Sequence, residues 1–281
     1  MKIIKKIFFI SFIVVIFVNL FRCEFLDYLT TTQNNNLTEA EVVDGLKTAL
    51  AVGIDTAAFN LGKIGGYLLN ETVKILLPED VQNIISFTEK FKSQLEIAKT
   101  TLDLLNIKII DMSSIINARD SLLISINRAA ETAVPLSVPI FKKAINDLTI
   151  YSAFSILYGD STAATSYLHD KTYFSLIKVY SPFVDSALNK VGAQNLWNQF
   201  ALNYNNLVKF YKSIPSSITS NFAPLPYDSV TTNLGEYTVS HALNGIFYMI
   251  GQEEKKIRID PLARINEILR KVFGVLDNNQ K

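Results

Sequence analysis

Apolar residues recur at spacings of three and four along most of the chain, which is the period of an amphipathic α-helix. The clearest example runs from Val239 to Ile257, where apolar side chains follow one face of a helix. Alternation of apolar and polar residues with a period of two is scarce, and a hairpin-type dipeptide such as Asp44-Gly45 lies inside a helical pattern. The pattern therefore predicts an all-α fold, with about nine or ten helices in a single domain.

Local signals predict where two of these helices begin. The segment 38–41 (Thr-Glu-Ala-Glu) has the form of a capping box, in which the threonine hydroxyl and the second glutamate satisfy free N–H groups. Pro78 is followed by two acidic residues, and both residue types favour the first turn of a helix. We expect a first helix to begin at about residue 38 and a second at about residue 78.

Proline residues predict where helices end or bend. A long helix is expected from about Ser113 to Val134, with Pro135 and Pro139 as its stop, because an internal proline removes a hydrogen bond and clashes with the preceding turn. For the same reason, Pro182 is expected to kink or divide the helix that contains it.

The chain is predicted to consist of a leader, a tether, one helical domain and a short tail. Residues 24–37 are polar and form the tether, residues 38–275 form the all-α domain, and residues 276–281 form a polar tail. Within the domain, residues 213–232 are rich in Ser, Thr and Pro and predict a long loop. Such a loop is either a surface excursion or a lid or linker.

Residues 1–23 have the features of a secretory signal peptide. Three lysines precede an apolar run from Ile7 to Phe21. A signal-peptide core has roughly 7–15 such residues, whereas a membrane-spanning helix needs roughly 20. We therefore predict a cleaved signal and a protein that is secreted, or periplasmic if the host is bacterial. The alternatives are an uncleaved N-terminal anchor, which would be the protein's membrane contact, and a lipid attached to Cys23.

Composition limits the classes of function. The 281 residues are 49% hydrophobic and 19% charged, which is typical of a globular protein. The 27 Lys and Arg residues balance 26 Asp and Glu residues, so the basic footprint of a nucleic-acid-binding protein is absent. One cysteine and two histidines exclude a zinc site built from several such ligands, and we predict neither a metal nor a cofactor. Asn36 and Asn70 lie in sequons, which makes them candidate N-glycosylation sites in a eukaryotic host.

Two short segments carry polar residues that suit either a structural network or an anion-binding site. Asn127, Arg128 and Glu131 lie close together on a predicted helix, where the arginine can pair with Glu131 or clamp a carboxylate. Asp160 and Thr165 belong to a glycine turn that leads into a helix N-terminus. Free N–H groups at such an end favour an anion, unless a side chain simply caps them.

Glu253 is the remaining polar candidate. Its distance from Val239 places it on the apolar face of that helix, so we expect it to point inward and to meet Arg128. The alternative is a solvated helix end with i, i+4 ion pairs such as Glu254–Arg258.

The sequence carries no complete catalytic motif. A Gly-x-Ser-x-Gly elbow and a P-loop are both absent, so no catalytic residue is assigned. Glu131, His169 and Glu253 are the acid or base candidates if the protein is an enzyme. The 18 Phe, 12 Tyr and single Trp either fill the core or enclose a hydrophobic ligand between helices.

A series of short blocks runs through the chain, and their order and joint presence are more specific than any one of them. The blocks include Gly45-Leu46-Lys47, Asn127-Arg128-Ala129-Ala130-Glu131, Pro139-Ile140-Phe141, Gly159-Asp160, Ala163-Ala164-Thr165, Lys171-Thr172, Lys190-Val191-Gly192, Glu253-Glu254-Lys255-Lys256-Ile257-Arg258 and Val272-Phe273-Gly274. In these blocks the chain resembles the family called domain of unknown function 4197, which consists of exported proteins of bacteria and some eukaryotes. The resemblance implies an exported helical protein and implies no activity.

Together, these observations predict an exported all-α protein that binds and does not catalyse. Its partner would be a hydrophobic or anionic small molecule, or a protein. The alternatives are a hydrolase-like enzyme that uses carboxylates or histidine, and a structural or adhesive extracellular protein. A continuous apolar cavity would favour binding, whereas carboxylates converging in a cleft would favour catalysis.

Overall fold

Residues 37–279 are the part of the chain that a computed structural model describes. Throughout that range the regular structure is helical and no β-strand occurs, which confirms the predicted all-α fold. The signal segment 1–23 and Asn36 lie outside the described residues. The α-helices are Glu39–Leu61 (α1), Glu79–Ile97 (α2), Lys99–Leu104 (α3), Ser113–Ile116 (α4), Ala118–Asp147 (α5), Ala153–Leu157 (α6), Ala163–Lys190 (α7), Ala193–Ser213 (α8), Ser216–Thr219 (α9), Leu234–Ile259 (α10) and Glu267–Gly274 (α11), with short 3-10 helices at Pro261–Ala263 and Val275–Asn279.

The two helix starts predicted from local signals agree with the structure. Helix α1 begins at Glu39, directly after the threonine of the capping box. Helix α2 begins at Glu79, with Pro78 at its N-cap. By contact, the described residues from Ala40 onward form one compact unit.

The prediction that Pro135 and Pro139 end a helix is wrong, and Pro182 does not divide its helix. Pro135 and Pro139 lie inside the continuous helix α5, and Pro182 lies inside α7. All three proline rings are on solvent-exposed positions, so water can bond to the carbonyl that each proline leaves without its helical partner. Val134 and Phe141, on either side of Pro135 and Pro139, are fully buried. Burial of this helix on both sides of the prolines therefore outweighs their local cost.

The centre of the fold is a layer of three long helices. Helix α7 packs along both α5 and α10, and α8 packs beside α5. Helix α1 packs against α10 at a close approach, because a Cβ atom on Gly53 would lie 2.9 Å from the Ile250 side chain. The buried aromatic residues fill this core, and they include Tyr67, Tyr180, Tyr204, Phe141, Phe200 and Phe273.

The loop predicted over residues 213–232 is fastened to the surface of the domain. The Tyr204 hydroxyl donates to the carbonyl of Tyr227 at 2.5 Å, and burial raises the pKa of Tyr204 to about 12, so the hydroxyl remains a donor at neutral pH. Phe222 packs edge-on against Phe91, with ring centroids 5.6 Å apart. These contacts fit a surface excursion that covers α2 and α8 better than a free lid.

Candidate functional site

Asn127 and Glu131 on α5 hold the non-helical segment between α1 and α2. The Asn127 amide accepts from the N–H of Ile75 at 2.9 Å and donates to the carbonyl of Ile75 at 2.8 Å. One oxygen of Glu131 accepts from the N–H groups of Tyr67 and Leu68, each at 3.1 Å. Both side chains are almost completely buried. They replace the hydrogen bonds that this segment cannot make to itself, and we call them the first clasp.

Tyr67 extends the first clasp across the core to α10. Its hydroxyl donates to the carbonyl of Ala242 at 2.7 Å. A Cβ atom on Gly245 would lie 2.6 Å from the Tyr67 ring, so only glycine lets the ring reach this position. Burial, followed by the nearby Tyr180 and Glu131, raises the pKa of Tyr67 well above its ordinary value. The hydroxyl therefore acts as a fixed neutral donor.

Arg128 completes the first clasp from the solvent side. Its Nη1 donates to the second oxygen of Glu131 at 2.6 Å, and about a third (33%) of the arginine side chain is exposed. Of the two alternatives for Arg128, the structure therefore shows the pair with Glu131. The predicted pairing of Arg128 with Glu253 is wrong, because the carboxylate beside Arg128 comes from its own helix.

A second clasp joins the C-terminal half of α10 to the first turn of α7. Glu254 is fully buried, and its two oxygens accept from the N–H of Ala164 at 2.9 Å and the N–H of Thr165 at 2.7 Å. The Thr165 hydroxyl also donates to Glu254, at 2.7 Å. The helix N-terminus that we predicted as an anion site is thus occupied by a carboxylate of the same chain, while Asp160 lies exposed ahead of the helix.

Arg258 neutralises Glu254 inside the core. Its Nε donates to Glu254 at 2.9 Å, and its Nη1 and Nη2 donate to the carbonyls of Leu157 and Ile156 at 2.6 and 2.9 Å. The guanidinium therefore caps the C-terminal end of α6 while pairing with the carboxylate. The Glu254–Arg258 pair was expected on a solvated helix end, whereas it is buried on both sides.

Arg264 links the second clasp to the end of the chain. It is buried and donates to the carbonyls of Ile257 and Arg258, both at 3.0 Å. It also makes two bonds of 2.7 Å to the carboxylate of Asp277, and these lower the pKa of Asp277. Part of the predicted polar tail is therefore bonded to the core of the domain.

The choice of Glu253 as the inward-facing residue is wrong by one position. Glu253 is partly exposed, whereas Glu254 is fully buried. On the apolar stripe of α10, Ile250 packs against Gly53 of α1, but a second buried face turns toward α7. That second face contains Phe247, Gly251, Glu254 and Arg258. Its members recur at helical spacing but include no aliphatic residue, so a search for apolar periodicity does not detect it.

The acid and base candidates do not assemble into a catalytic group. Both oxygens of Glu131 are used in the first clasp. The His169 ring packs at a tilt against Tyr173 and edge-on against Phe247, and its Nδ1 lies 3.3 Å from the carboxylate of the adjacent Asp170. Glu253 lines a separate surface depression beside Thr56 and Asn60 of α1. Among residues 37–279, no hydrogen bond or ion pair joins any two of these three candidates.

No metal centre is visible in the described part of the chain. No group of three or more His, Cys, Asp or Glu side chains in that part is arranged so that it could hold a metal ion. Also within residues 37–279, none of the helices has the length and apolar character needed to span a bilayer.

An apolar groove lies between the C-terminal half of α5 and the N-terminal half of α7. Its volume is about 750 Å³, within the roughly 300–1,000 Å³ that is typical of small-molecule sites. Apolar side chains make up most of the wall, with two lysines, one aspartate and a few hydroxyl groups among them. The apolar residues of its walls are Pro139, Ile140, Ala144, Leu148, Leu176 and Val179, and the polar ones are Lys143, Asp147, Thr149, Tyr151, Tyr167, Lys171, Thr172 and Ser175.

None of the polar residues predicted as site candidates lines this groove. Asn127, Arg128, Glu131 and Thr165 belong to the two clasps, and their polar atoms are occupied by the chain itself. The groove residues carried no polar signal, and two of the blocks behind the family resemblance, Pro139–Phe141 and Lys171-Thr172, contribute to its walls. Those blocks were the one signal in the sequence that pointed to this surface.

Comparison with known proteins gives one match. A family model described as a protein of unknown function (DUF4197) matches residues 36–274. No curated protein and no solved structure matches the chain. The match spans nearly the whole helical domain, including both clasps and the groove, and it confirms the resemblance seen in the short blocks. The chain therefore belongs to the DUF4197 family of proteins of unknown function.

Proposed function

We propose that this protein is a non-catalytic binding protein that holds a hydrophobic small molecule in the groove between α5 and α7. The observation that carries the proposal is the groove itself, a depression of about 750 Å³ with mostly apolar walls. Apolar surface that remains open to water in a folded chain gains free energy when a ligand covers it, by roughly 25 cal/mol per Å².

The distribution of buried charge supports binding over catalysis. The carboxylates of Glu131 and Glu254 each accept at least three hydrogen bonds from the chain. An acid or base needs a free position for the substrate proton, and neither carboxylate faces the groove. Asp147 is the carboxylate that lines the groove, and it is held in an ion pair with Lys143 at 2.6 Å. The groove therefore offers mainly shape and apolar surface.

We expect Ser175→Trp to reduce binding of an apolar probe at least about tenfold, because an indole at this exposed position fills the groove. The probe is N-phenyl-1-naphthylamine, an uncharged dye whose fluorescence rises in apolar surroundings. Ser186→Trp is the matched control, since Ser186 is an exposed serine on the same helix that does not line the groove. Equal binding by the two variants, or no binding by the unmodified protein, would contradict the proposal.

Export from the cytoplasm is the setting that we propose for this function. It is supported by the signal-like segment 1–23 and by the sequons at Asn36 and Asn70. Asn70 lies in a surface turn in which its side chain accepts from the N–H of Thr72 at 3.1 Å.

We expect the protein isolated from the medium or periplasm of its own host to lack residues 1–23, because a leader of this type is cleaved on export. The intact mass measures this directly, and treatment with a glycosidase separates any N-linked glycan from the polypeptide mass. A full-length chain found only in the membrane fraction would instead indicate an uncleaved anchor.

A further inference from the structure

The two helices that form the groove run in opposite directions. The Tyr167 hydroxyl, early in α7, donates at 2.8 Å to the carbonyl of Thr149, which follows the end of α5. Farther along α7, the Tyr173 ring contacts the Phe247 ring. The same Phe247 ring also contacts Phe141, which lies earlier in α5. One end of the groove therefore lies at the end of α5 and the start of α7, and the other end lies deeper in both helices.

The polarity of the groove changes from one of these ends to the other. At the deep end the walls are mainly the apolar side chains of Pro139, Ile140, Leu176 and Val179, with the small hydroxyl side chain of Ser175 among them. At the opposite end they include Lys143, Asp147, Thr149, Tyr167 and Lys171. The α7 wall from Tyr167 to Val179 is about 18 Å long at the rise of an α-helix. The groove is therefore elongated, with an apolar run and a polar mouth.

Lys171 gives this polar mouth an uncompensated positive charge. Lys143 is paired with Asp147 at 2.6 Å, and the carboxylate next in sequence to Lys171, that of Asp170, faces His169. No ion pair between residues 37 and 279 includes Lys171. Its Nζ lies 5.6 Å from the centroid of the Tyr167 ring. That ring is held in place by the hydrogen bond from its hydroxyl to the carbonyl of Thr149.

We propose that the ligand of the groove is a single-chain anionic amphiphile, with its head group at Lys171 and its hydrocarbon chain along the apolar run. This inference rests on the proposed function of the groove and specifies the ligand class. The exposed ammonium of Lys171 can donate a charge-assisted hydrogen bond to an anionic head group, which is stronger than a hydrogen bond between neutral groups. Lys171 is then the residue that selects the head group, and Leu176 and Val179 contact the chain.

The test compares three ligands with the same hydrocarbon chain: dodecanoate, 1-dodecanol and dodecyltrimethylammonium. The two ions are used below their micelle concentrations and the alcohol below its solubility limit. Displacement of N-phenyl-1-naphthylamine from the full mature chain measures their affinities. We expect dodecanoate to bind most tightly and the cation most weakly. Lys171→Gln should weaken dodecanoate about tenfold, the effect of one charge-assisted hydrogen bond, and should leave dodecanol unchanged.

Lys178→Gln is the matched control, because Lys178 is an exposed lysine on the same helix that does not line the groove. It should leave the affinity for dodecanoate unchanged. Equal affinities for dodecanoate and dodecanol, or equal losses in the two lysine variants, would overturn the head-group inference while the groove function stands. Failure of all three ligands to bind would overturn the proposed function as well, so the two failures are distinguishable.

Discussion

Replacing Glu254 with alanine is expected to lower the free energy of unfolding by about 3–5 kcal/mol, the usual cost of removing one partner from a buried ion pair. The variant leaves the guanidinium of Arg258 buried without its carboxylate. It also leaves the N–H groups of Ala164 and Thr165 without their acceptor. Because Glu254 is fully buried, water cannot readily replace these bonds.

Urea unfolding followed by circular dichroism measures this loss, and in a thermal scan it corresponds to a fall in Tm of roughly 10 °C. The neighbouring Glu253→Ala is the control, because Glu253 is partly exposed and should change stability by no more than about 0.5 kcal/mol. Similar losses for the two variants would mean that the second clasp does not stabilise the fold in the way its geometry indicates.

Replacing Glu131 with alanine is expected to cost about 3 kcal/mol, since it leaves two N–H groups without an acceptor at roughly 1–3 kcal/mol for each unsatisfied group. Those groups belong to Tyr67 and Leu68. We also expect a local effect, because the Tyr67 and Leu68 amides donate to this carboxylate. Hydrogen exchange should show reduced protection of the Tyr67 and Leu68 amides beyond the global loss of stability.

Arg128→Ala provides the comparison for the first clasp. Arg128 is about a third exposed (33%) and contacts the other oxygen of Glu131. Its loss should therefore cost less than the loss of Glu131, because the two N–H bonds to the carboxylate remain. The protection of the two amides should remain. If Arg128→Ala removed their protection as completely as Glu131→Ala, the ion pair rather than the N–H bonds would be what holds the segment.

The features that could be predicted from the sequence are those with a local cause. The all-α class follows from the apolar period, and the starts of α1 and α2 follow from a capping box and from Pro78. The course of α5 through Pro135 and Pro139 could not be predicted in this way. That course depends on burial of the helix against α7 and α8, and those helices lie later in the chain.

The candidate site was only partly predictable, for a related reason. Asn127, Glu131 and Thr165 were recognised as members of polar networks, but their partners are backbone N–H groups of distant segments. Nothing in a single sequence reveals such partners. The groove could not be predicted because its walls contain two kinds of apolar residue. Some are assigned to the core by the helical pattern, and others, such as Val179, are exposed (51%).

The contact between Glu254 and the first turn of α7 has a consequence for how α7 and α10 align. Two apolar helix surfaces can slide past each other by a turn, about 5.4 Å, and still bury similar areas. An α-helix has free N–H groups in its first turn and nowhere else along its length. The Glu254 carboxylate can therefore be satisfied in one longitudinal position of α7 only. This contact therefore fixes the register of α7 against α10. Apolar residues elsewhere between the two helices can then be replaced by others of similar volume without a shift of register.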